Sequence, residues 1–245
     1  MKKLFIIMFL FLALNTVYAA PSNLHITTGF TPPVSSFFED VLAEVDNRVD
    51  AISISFEVLP AERSLSLSNQ DITDGDCCRI HNVVNEKYPN LKAVEQSFFS
   101  VRFNAFTKDK TRTINTFEDL KPYSVGAVKG WKISVIKVDE LNPKHKSIVT
   151  RPEQVFLMLE EGRLDYGIVG YLSGLNTLKK LGLTDIYPLQ PSLWEFPLVL
   201  VLSEKKKAFI PAIDAAIESM KQDGTIDRLY QKTISNLAVI HPATQ

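Results

Sequence analysis

Cysteine and histidine are scarce in this sequence, and neither occurs in a pattern that binds metal. The 245 residues include two cysteines and four histidines. The cysteines are adjacent and the histidines are scattered, so the spacing of a zinc site is missing. No Gly-x-Ser-x-Gly or His-Glu-x-x-His segment occurs, and these mark a serine nucleophile elbow and a zinc-binding helix. We therefore expect no metal, no cofactor and no catalytic residue.

An excess of positive charge is also missing. Lysine and arginine total 27, against 28 aspartates and glutamates. Removing Lys2 and Lys3 with the N-terminal segment leaves 25 basic residues and a net charge near −3. Nucleic-acid-binding domains carry a basic patch or stripe, and the short run Lys205–Lys207 is typical of a solvated edge. The charge balance therefore does not favour nucleic acid as a partner.

Long hydrophobic runs are absent except at the N-terminus. Lys2 and Lys3 precede the apolar run Leu4–Leu14, and Val17–Ala19 has small residues at the −3 and −1 positions of a cleavage site. This pattern predicts a secretory signal peptide over residues 1–19. The run is shorter than the roughly 20 residues of a membrane span, and an uncleaved anchor is the alternative. We expect a soluble mature protein in the periplasm, beginning at Ala20.

Cys77 and Cys78 leave two alternatives open in an exported protein. Oxidation is possible in such a compartment. Neighbouring α-carbons lie about 3.8 Å apart, below the usual disulfide range of roughly 4.4–6.8 Å. A vicinal disulfide would be strained, so we favour two thiols on opposite faces of a strand.

Strand and helix patterns alternate along the N-terminal part of the chain. Leu24–Phe30 is a predicted strand, and a stripe at helical spacing follows it, at Phe38, Val41, Leu42 and Val45. Apolar residues alternate over Ile52–Val58, as in a half-buried strand. Further predicted elements are a helix at Ala61–Asn69, strands at Asp76–Ile80 and Ser97–Phe106, and a helix at Asn82–Tyr88. This alternation predicts an α/β fold with largely parallel sheets.

Two helix-strand units follow in the middle of the chain. Thr116 with Asp119, and Thr150 with Glu153, have the spacing of a capping box, and Gly162 is expected to end the second helix with a positive φ. The strands Ser124–Val128 and Tyr166–Val169 are short apolar runs of the kind a parallel sheet buries. Ligands bind at the carboxyl ends of such strands, which are followed here by Lys129, Gly130, Trp131, Gly170 and Tyr171.

Two interruptions of the pattern predict two lobes. The polar segment Thr107–Thr113 separates the N-terminal units from those in the middle of the chain, and the pattern changes again near Trp194–Pro197. We expect one lobe to contain residues 20–106 and 198–245. Residues 107–197 then form the second lobe and include both crossings.

The sequence resembles extracellular solute-binding proteins of family 3, which are associated with amino-acid ABC transporters. The resemblance rests on Phe117–Lys121 (FEDLK), Val125–Gly130 (VGAVKG), Leu159–Asp165 (LEEGRLD) and the ending Ile213–Tyr230, with Lys221–Thr225 (KQDGT). It covers most of the mature chain. It implies two α/β lobes of the periplasmic-binding-protein type 2 fold, which close on a ligand in the cleft between them by hinge motion.

The predicted ligand-binding residues lie near strand ends. They are Arg79, Arg63, Trp131, Gly130, Lys129, Tyr171 and Phe30. The planar guanidinium of Arg79 suits a carboxylate or a phosphate, and the alternative is a structural ion pair with Asp74, Asp76 or Glu86. Arg63 lies near a helix start, where a cation is unfavourable; pairing with Glu62 or Asp71 is its alternative. Packing in the core is the alternative for Trp131 and Phe30, and Trp194 belongs to a crossing or to the cleft rim.

The family pattern differs from this sequence at three positions. Arg79 comes earlier than the arginine that grips an α-carboxylate, and Trp131 takes the place of a small hydroxyl residue. Gly170 stands where the resemblance implies an aspartate for the α-ammonium. These differences favour an anionic or neutral solute and predict that standard amino acids bind poorly, whereas a carboxylate- or phosphate-bearing metabolite binds well. Replacement of the missing aspartate by Asp76 or Glu195 is the alternative.

The expected function is capture of a small polar or anionic solute by a periplasmic binding protein. We expect a monomer that meets an inner-membrane permease of an ABC transporter or, alternatively, a membrane sensor. A dehydratase-like enzyme on the same fold is the main rival, because fold alone does not exclude catalysis. A structural protein without a ligand is the third alternative.

Overall fold

The computed structural model describes residues 20–80, 88–129 and 131–237, apart from the side chain of Lys132. The predicted signal peptide, the predicted ligand residue Gly130 and nearly all of the predicted helix at 82–88 lie outside these ranges. Within the described residues, no helix is long and apolar enough to cross a membrane.

Strands and helices alternate along the chain. The strands are β1 Ser22–Thr28, β2 Ile52–Val58, β3 Gly75–Ile80, β4 Leu91–Ala93, β5 Phe99–Thr107, β6 Ser124–Val128, β7 His145–Val149, β8 Tyr166–Gly170, β9 Tyr187–Pro188 and β10 Trp194–Ser203. The helices are α1 Val34–Arg48, α2 Ala61–Asn69, α3 Lys132–Leu141, α4 Pro152–Glu160, α5 Tyr171–Leu181, α6 Ile210–Gln222 and α7 Thr225–Leu237. Short 3-10 helices span Phe117–Leu120 and Glu204–Phe209. The predicted α/β class is confirmed, but the described strands form a mixed sheet and not the largely parallel one that was expected.

Helix α1 forms where the apolar stripe predicts it. The side chains of Phe38, Val41, Leu42 and Val45 are all buried in the core. The helix begins at Val34, directly after Pro33, and no side-chain cap is present. Burial of an apolar stripe stabilises such a helix more than its local propensity does.

The two predicted capping boxes have different outcomes. Asp119 accepts hydrogen bonds from the backbone N–H of Thr116, at 3.0 Å, and from the Thr116 hydroxyl. The second prediction is wrong by one residue, because Gln154 rather than Glu153 accepts from the backbone of Thr150 and Arg151. Gly162 follows α4 with φ +68°, which confirms that this helix ends at a left-handed residue.

A continuous hydrogen-bonded path runs through the strands in the order β2-β1-β3-β10-β5-β8-β6-β7. Strands β1, β2 and β3 are parallel, and so are β6, β7 and β8. The two parallel groups are joined by the long antiparallel strands β5 and β10, which pair between Phe99–Phe103 and Trp194–Leu198. We call this paired region the linking segment.

Separate hydrophobic cores lie on the two sides of the linking segment. One core is formed by β1, β3, α1, α6 and the apolar half of β10, with Leu24, Phe38 and Ile217 fully or almost fully buried. The other side holds two clusters built around β5, β6 and β8, with Ala127 and Ile168 in one and Phe106 and Phe156 in the other. The molecule therefore has two lobes; the lobe limits near residues 106 and 198 stay a prediction.

The two cysteines do not have free thiols. Cys77 and Cys78 are joined in a vicinal disulfide, and both residues are buried within β3. The interpretation as two thiols on opposite strand faces is therefore wrong. The regular strand that this interpretation assumed is interrupted here, because the pairing of β3 with β10 shifts register between Val199 and Val201.

Candidate functional site

The carboxyl ends of both parallel groups meet at the linking segment. Strand β3 ends at Ile80, which pairs with Leu198, and β8 ends at Gly170, which pairs with Phe103. Leu198 and Phe103 mark the two ends of the linking segment. The strand ends of one lobe therefore face those of the other, and ligands bind at such edges in open α/β sheets.

Arg79 at the end of β3 is held by a fully buried carboxylate. Its Nε donates to Oδ1 of Asp76 at 2.6 Å, and its Nη2 donates to Oδ2 at 2.8 Å. Asp76 has no exposed surface, whereas the Arg79 side chain is 17 % exposed. This is a bidentate pair, the geometry in which arginine holds a carboxylate most firmly. The ion pair that the sequence left as an alternative is therefore present with Asp76.

Two hydroxyls complete the environment of Asp76. The Ser64 hydroxyl on α2 donates to Oδ2 of Asp76. Thr27 on β1 shares a hydrogen bond of 2.7 Å with Ser64, and both side chains are buried. Burial raises the pKa of Asp76, while Arg79 and Ser64 act in the opposite direction. A buried carboxylate with this set of donors is held in one position.

Among the described residues, the Arg79 guanidinium has more N–H donors than hydrogen-bond acceptors. Nη2 also donates to the backbone oxygen of Ala61 at 3.3 Å. Guanidinium has five N–H donors in a fixed plane, and within the described part of the chain no partner contacts Nη1. Gly29 permits this arrangement, since a Cβ there would lie 2.5 Å from the Cα of Ala61 and 3.1 Å from Nη2 of Arg79.

The edge of the second lobe contributes aromatic rings and a cation. Trp131 is half-buried and packs edge-on against Phe103, with ring centroids 6.0 Å apart. Lys129 is exposed, and the turn between them is closed by the Trp131 N–H, which donates to the oxygen of Val128 at 3.0 Å. Helix α3 begins directly after Trp131, at Lys132. Its N-terminus is therefore close to the strand end.

Gly170 leaves open space at the end of β8. A Cβ at Gly170 would meet one atom within contact range, the backbone oxygen of Arg102 at 4.0 Å. Its φ of −60° and ψ of 132° are accessible to any residue, so no backbone constraint requires glycine. The position is also the N-cap of α5, where aspartate is favoured.

The remaining predicted residues have different surroundings. Phe30 packs edge-on against Phe38 at 5.4 Å, at the margin of the first core. Arg63 is exposed in the first turn of α2. Tyr171 lies under the guanidinium of Arg102, at 5.0 Å from its ring centroid. Trp194 packs against Phe117 with centroids 4.5 Å apart.

Asp76 was among the partners predicted for Arg79, whereas Ser64, Thr27, Arg102 and Tyr230 were not predicted from the sequence. In a regular strand, residues three apart point to opposite faces, so the spacing gave no reason to pair Asp76 with Arg79. The register shift beside Val199 changes this alternation. No sequence pattern marked Ser64 or Thr27 as a site residue, because small hydroxyl residues occur throughout the chain.

Potential metal ligands are not grouped together in the described ranges 20–80, 88–129 and 131–237. No cluster of three or more histidine, cysteine, aspartate or glutamate side chains there has the geometry to hold an ion.

Comparisons with known proteins give matches at the level of structure. No protein-family model matches the sequence, and no curated protein matches it. The probable amino-acid ABC transporter extracellular-binding protein ytmK of Bacillus subtilis has a TM-score of 0.71 and 16 % identity, over 86 % of this chain and 97 % of that protein. The L-arginine-bound substrate-binding protein AbpA of Streptococcus pneumoniae has a TM-score of 0.64 and 14 % identity, over 90 % and 97 %.

A sensor protein is similar to the same extent. A histidine kinase sensor domain with similarity to periplasmic binding proteins has a TM-score of 0.67 and 11 % identity, over 87 % of this chain and 96 % of that domain. Each similarity spans nearly the whole length of the protein that is compared with this chain, so the similarity includes both lobes. At such identities they establish the fold, and this chain has the two-lobed α/β fold of the periplasmic binding proteins.

Proposed function

We propose that this protein captures a small polar or anionic solute between its lobes and delivers it to a membrane protein. The observation that supports this proposal is Arg79, fixed at the meeting edge of the lobes by the buried Asp76. A fixed guanidinium with unused donors is suited to bind a carboxylate or phosphate of a ligand. Its position is set before the ligand arrives, which reduces the entropy lost on binding.

Lobe closure is the proposed mechanism. The solute first contacts Arg79 on one lobe, and Trp131 and Lys129 on the other lobe then reach it as the lobes approach. The ligand stabilises the closed state by the difference between its binding free energies to the closed and open states. Contacts that form in the closed state alone provide this difference. Trp131 offers an indole face to a planar or apolar portion of the solute, and Phe30, Arg63, Gly130 and Tyr171 are further proposed contacts.

Gly170 is the reason for proposing a solute without an α-ammonium group. An unpaired ammonium in a desolvated cleft is costly, and Asp76 is already engaged by Arg79. Glu195 is an acid that is exposed on β10 at the linking segment. The pairing of Asp76 with Arg79 also neutralises much of the positive charge, so a neutral polar solute fits as well as an anion.

The receiving membrane protein is proposed to be an ABC-transporter permease. The similarity to binding proteins of such transporters supports it. The comparable similarity to a histidine kinase sensor domain supports a sensor as the second candidate. Pull-down of the loaded protein from solubilised inner membranes, with mass spectrometry of the captured protein, distinguishes a permease from a kinase; capture of neither class contradicts the proposal.

A thermal-shift screen tests the binding function. The screen contains carboxylate- and phosphate-bearing metabolites and the twenty standard amino acids, applied to the wild type and to Gly170→Asp. Ligands of the folded state raise its melting temperature. We expect stabilisation of the wild type by a member of the first set and a weaker effect of anions on Gly170→Asp, since the new carboxylate repels them.

Three outcomes of this screen would contradict parts of the proposal. Strong stabilisation of the wild type by a neutral amino acid would refute the proposed ligand class. Turnover of a stabilising compound during incubation would favour an enzyme. Absence of any stabilisation, together with absence of small molecules released from gently purified protein, would favour a structural role.

Export to the periplasm is part of the proposal. We propose cleavage after Ala19, on the basis of the sequence Val17–Ala19, and a monomeric mature protein without cofactor. N-terminal sequencing of the periplasmic fraction should begin at Ala20. Recovery of the chain in the membrane fraction with an intact N-terminus would contradict the cleavage.

A further inference from the structure

Arg102 lies on the linking segment, between the two lobes. It belongs to β5 and pairs with Glu195 of β10, between the pairs that mark the ends of the segment. Its side chain is half-buried. Arg102 therefore lies in the region that joins the two lobes.

The guanidinium of Arg102 contacts two tyrosine rings, which belong to different helices. It lies 5.0 Å from the ring centroid of Tyr171, the first residue of α5 after β8. It lies 5.5 Å from the ring centroid of Tyr230 on α7, and its Nη2 donates to the Tyr230 hydroxyl. Both distances are within the range of about 6 Å for an attractive cation–π contact.

The two tyrosines come from segments of different lobes, although both rings pack against the core of the first lobe. Tyr230 is part of α7, which packs against α1 in the first lobe. Tyr171 directly follows Gly170, the last residue of a strand in the second lobe. Burial raises the pKa of Tyr230, so its hydroxyl stays neutral and accepts the hydrogen bond from Arg102 at neutral pH.

Helix α5 adds to this connection. Leu172 and Leu175 are buried in the core of the first lobe, although α5 begins at a strand end of the second. Leu178, one turn further on, is buried in a cluster of the second lobe. At the far end of α5, the Lys179 ammonium donates to the backbone oxygen of Asn236 on α7 at 2.6 Å. The start of α5 is therefore held between the lobes.

Space for rearrangement is present beside the arginine. A cavity of about 280 Å³ is open to solvent and is lined by residues that include Arg102, Glu195, Tyr230 and Asp227. The side chains of Arg102 and Tyr230 are therefore not enclosed on all sides. A contact with such free space can break and form again without unpacking either core.

We propose that Arg102 is a positioning residue that sets the relative arrangement of the lobes through Tyr171 and Tyr230. It does so on the face of the linking segment that carries α5 and α7, and it needs no contact with the solute. This inference rests on the proposed function, because the lobe arrangement determines how tightly the cleft holds its ligand. Loss of the contact makes more arrangements accessible to the ligand-free protein.

Arg112 provides a matched control for this proposal. Its guanidinium also lies over two tyrosine rings, at 4.8 Å from Tyr123 and 5.1 Å from Tyr166. Both of these tyrosines belong to the second lobe, since Tyr123 precedes β6 and Tyr166 begins β8. Arg112 thus has the same type of contact but connects no lobes.

The test is the distance distribution between the lobes in the ligand-free protein. Spin labels attached through non-cysteine azide chemistry at the exposed residues Ala212 on α6 and Glu140 on α3 leave the disulfide untouched. Pulsed electron resonance then measures the distribution. We expect Arg102→Met to widen and shift it, and Arg112→Met to leave it unchanged even if its melting temperature falls.

Two substitutions at Tyr171 provide a second test in case Arg102→Met does not fold. Tyr171→Leu should widen the distribution, whereas Tyr171→Phe, which keeps the ring, should retain that of the wild type. Wild-type distributions in Arg102→Met and Tyr171→Leu would overturn the proposal, and so would equal widening in Arg112→Met. No ligand enters the experiment, so a negative solute screen would leave this result valid.

Discussion

At the residue scale, the chemistry of the candidate site depends on one buried charge. Asp76 has no exposed surface and is held by Arg79 and Ser64. Burying a carboxylate is costly unless it is paired and hydrogen-bonded. The pair consequently fixes Arg79, but it also makes Arg79→Ala a poor probe, because Asp76 would be left buried without its partner at a cost of about 3–5 kcal/mol.

Arg79→Lys is a better test of ligand binding at this position. Lysine keeps the positive charge near Asp76 but lacks the planar fork. Loss of a charged hydrogen bond costs about 1.5–3 kcal/mol, and about 1.4 kcal/mol corresponds to tenfold in affinity. We expect the Kd of the native solute, measured by calorimetry, to rise more than tenfold.

Arg112→Lys is the control for this measurement. Arg112 also pairs with a carboxylate, Asp165, but at the opposite, amino end of β8. Its substitution should leave the Kd unchanged. An equal Kd for the wild type and Arg79→Lys would exclude Arg79 as the anchor.

Ser64→Ala measures the contribution of the buried network to stability. The variant removes a hydroxyl that donates to Asp76 and contacts Thr27. A hydrogen bond to a buried charge contributes roughly 1.5–3 kcal/mol, and we expect the free energy of unfolding in urea to fall by that amount. Ser66→Ala on the same helix should change it by less than about 0.5 kcal/mol, because Ser66 contacts the exposed side chain of Gln70. Equal effects of the two variants would show that the network contributes nothing.

At the element scale, polar side chains at the ends of helices accept specific hydrogen bonds from the backbone. Gln154 caps α4 and Asp119 caps the short helix at Phe117–Leu120. Between α6 and α7, Asp223 accepts a hydrogen bond from the N–H of Thr225 at 2.9 Å and pairs with Arg48 of α1 at 2.8 Å. Asp223 thereby connects the last two helices to the first one.

Asp223 also predicts a pH dependence of stability. The hydrogen bonds from Thr225, followed by the ion pair with Arg48, lower the pKa of Asp223 from 3.8 to about 2. A carboxylate with a lowered pKa stabilises the folded state above its unfolded pKa, and this contribution disappears as the pH falls through the folded pKa. The stability advantage of the wild type over Asp223→Asn should therefore be full above about pH 4 and shrink towards pH 2.

Denaturation midpoints at several pH values check this prediction. Glu218→Gln removes a half-buried charge from the neighbouring helix α6 and serves as the control. Its difference from the wild type should stay flat over the same range. A difference for Asp223→Asn that does not change between pH 4 and pH 2 would contradict the assigned pKa.

At the scale of the whole molecule, two lobes share a pair of long strands. Strand β10 pairs with β3 of the first lobe, β5 pairs with β8 of the second lobe, and the two strands pair with each other. A connection of this kind resists shearing of the strands but permits bending across the linking segment. Hinge closure is consequently the motion that such an architecture favours.

Solute binding should therefore make the molecule more compact. Small-angle X-ray scattering of the wild type should show a smaller radius of gyration with a saturating solute than without it. The physical reason is that contacts from both lobes to one solute favour the closed arrangement. Arg79→Lys at the same solute concentration should keep the larger radius. An identical radius for the loaded and unloaded wild type would contradict closure.

The sequence by itself determined the α/β class and most elements, because apolar periodicity reflects which faces are buried. The stripe on α1, the strands β6 and β8, and the turn at Gly162 were all predicted from local patterns. Two interruptions of this pattern predicted two lobes, and the resemblance to a family implied the same arrangement. The predicted site residues stay predictions, but the strand ends that carry them do meet at the linking segment.

Tertiary structure alone decided the pairing of Asp76 with Arg79, the vicinal disulfide and the position of Arg102 between two tyrosines. The first two depend on an irregular strand, which no two-residue periodicity encodes. The third joins residues that are far apart in the chain, namely Arg102, Tyr171 and Tyr230. Such contacts follow from how strands and helices pack in space, and local sequence patterns carry no information about that packing.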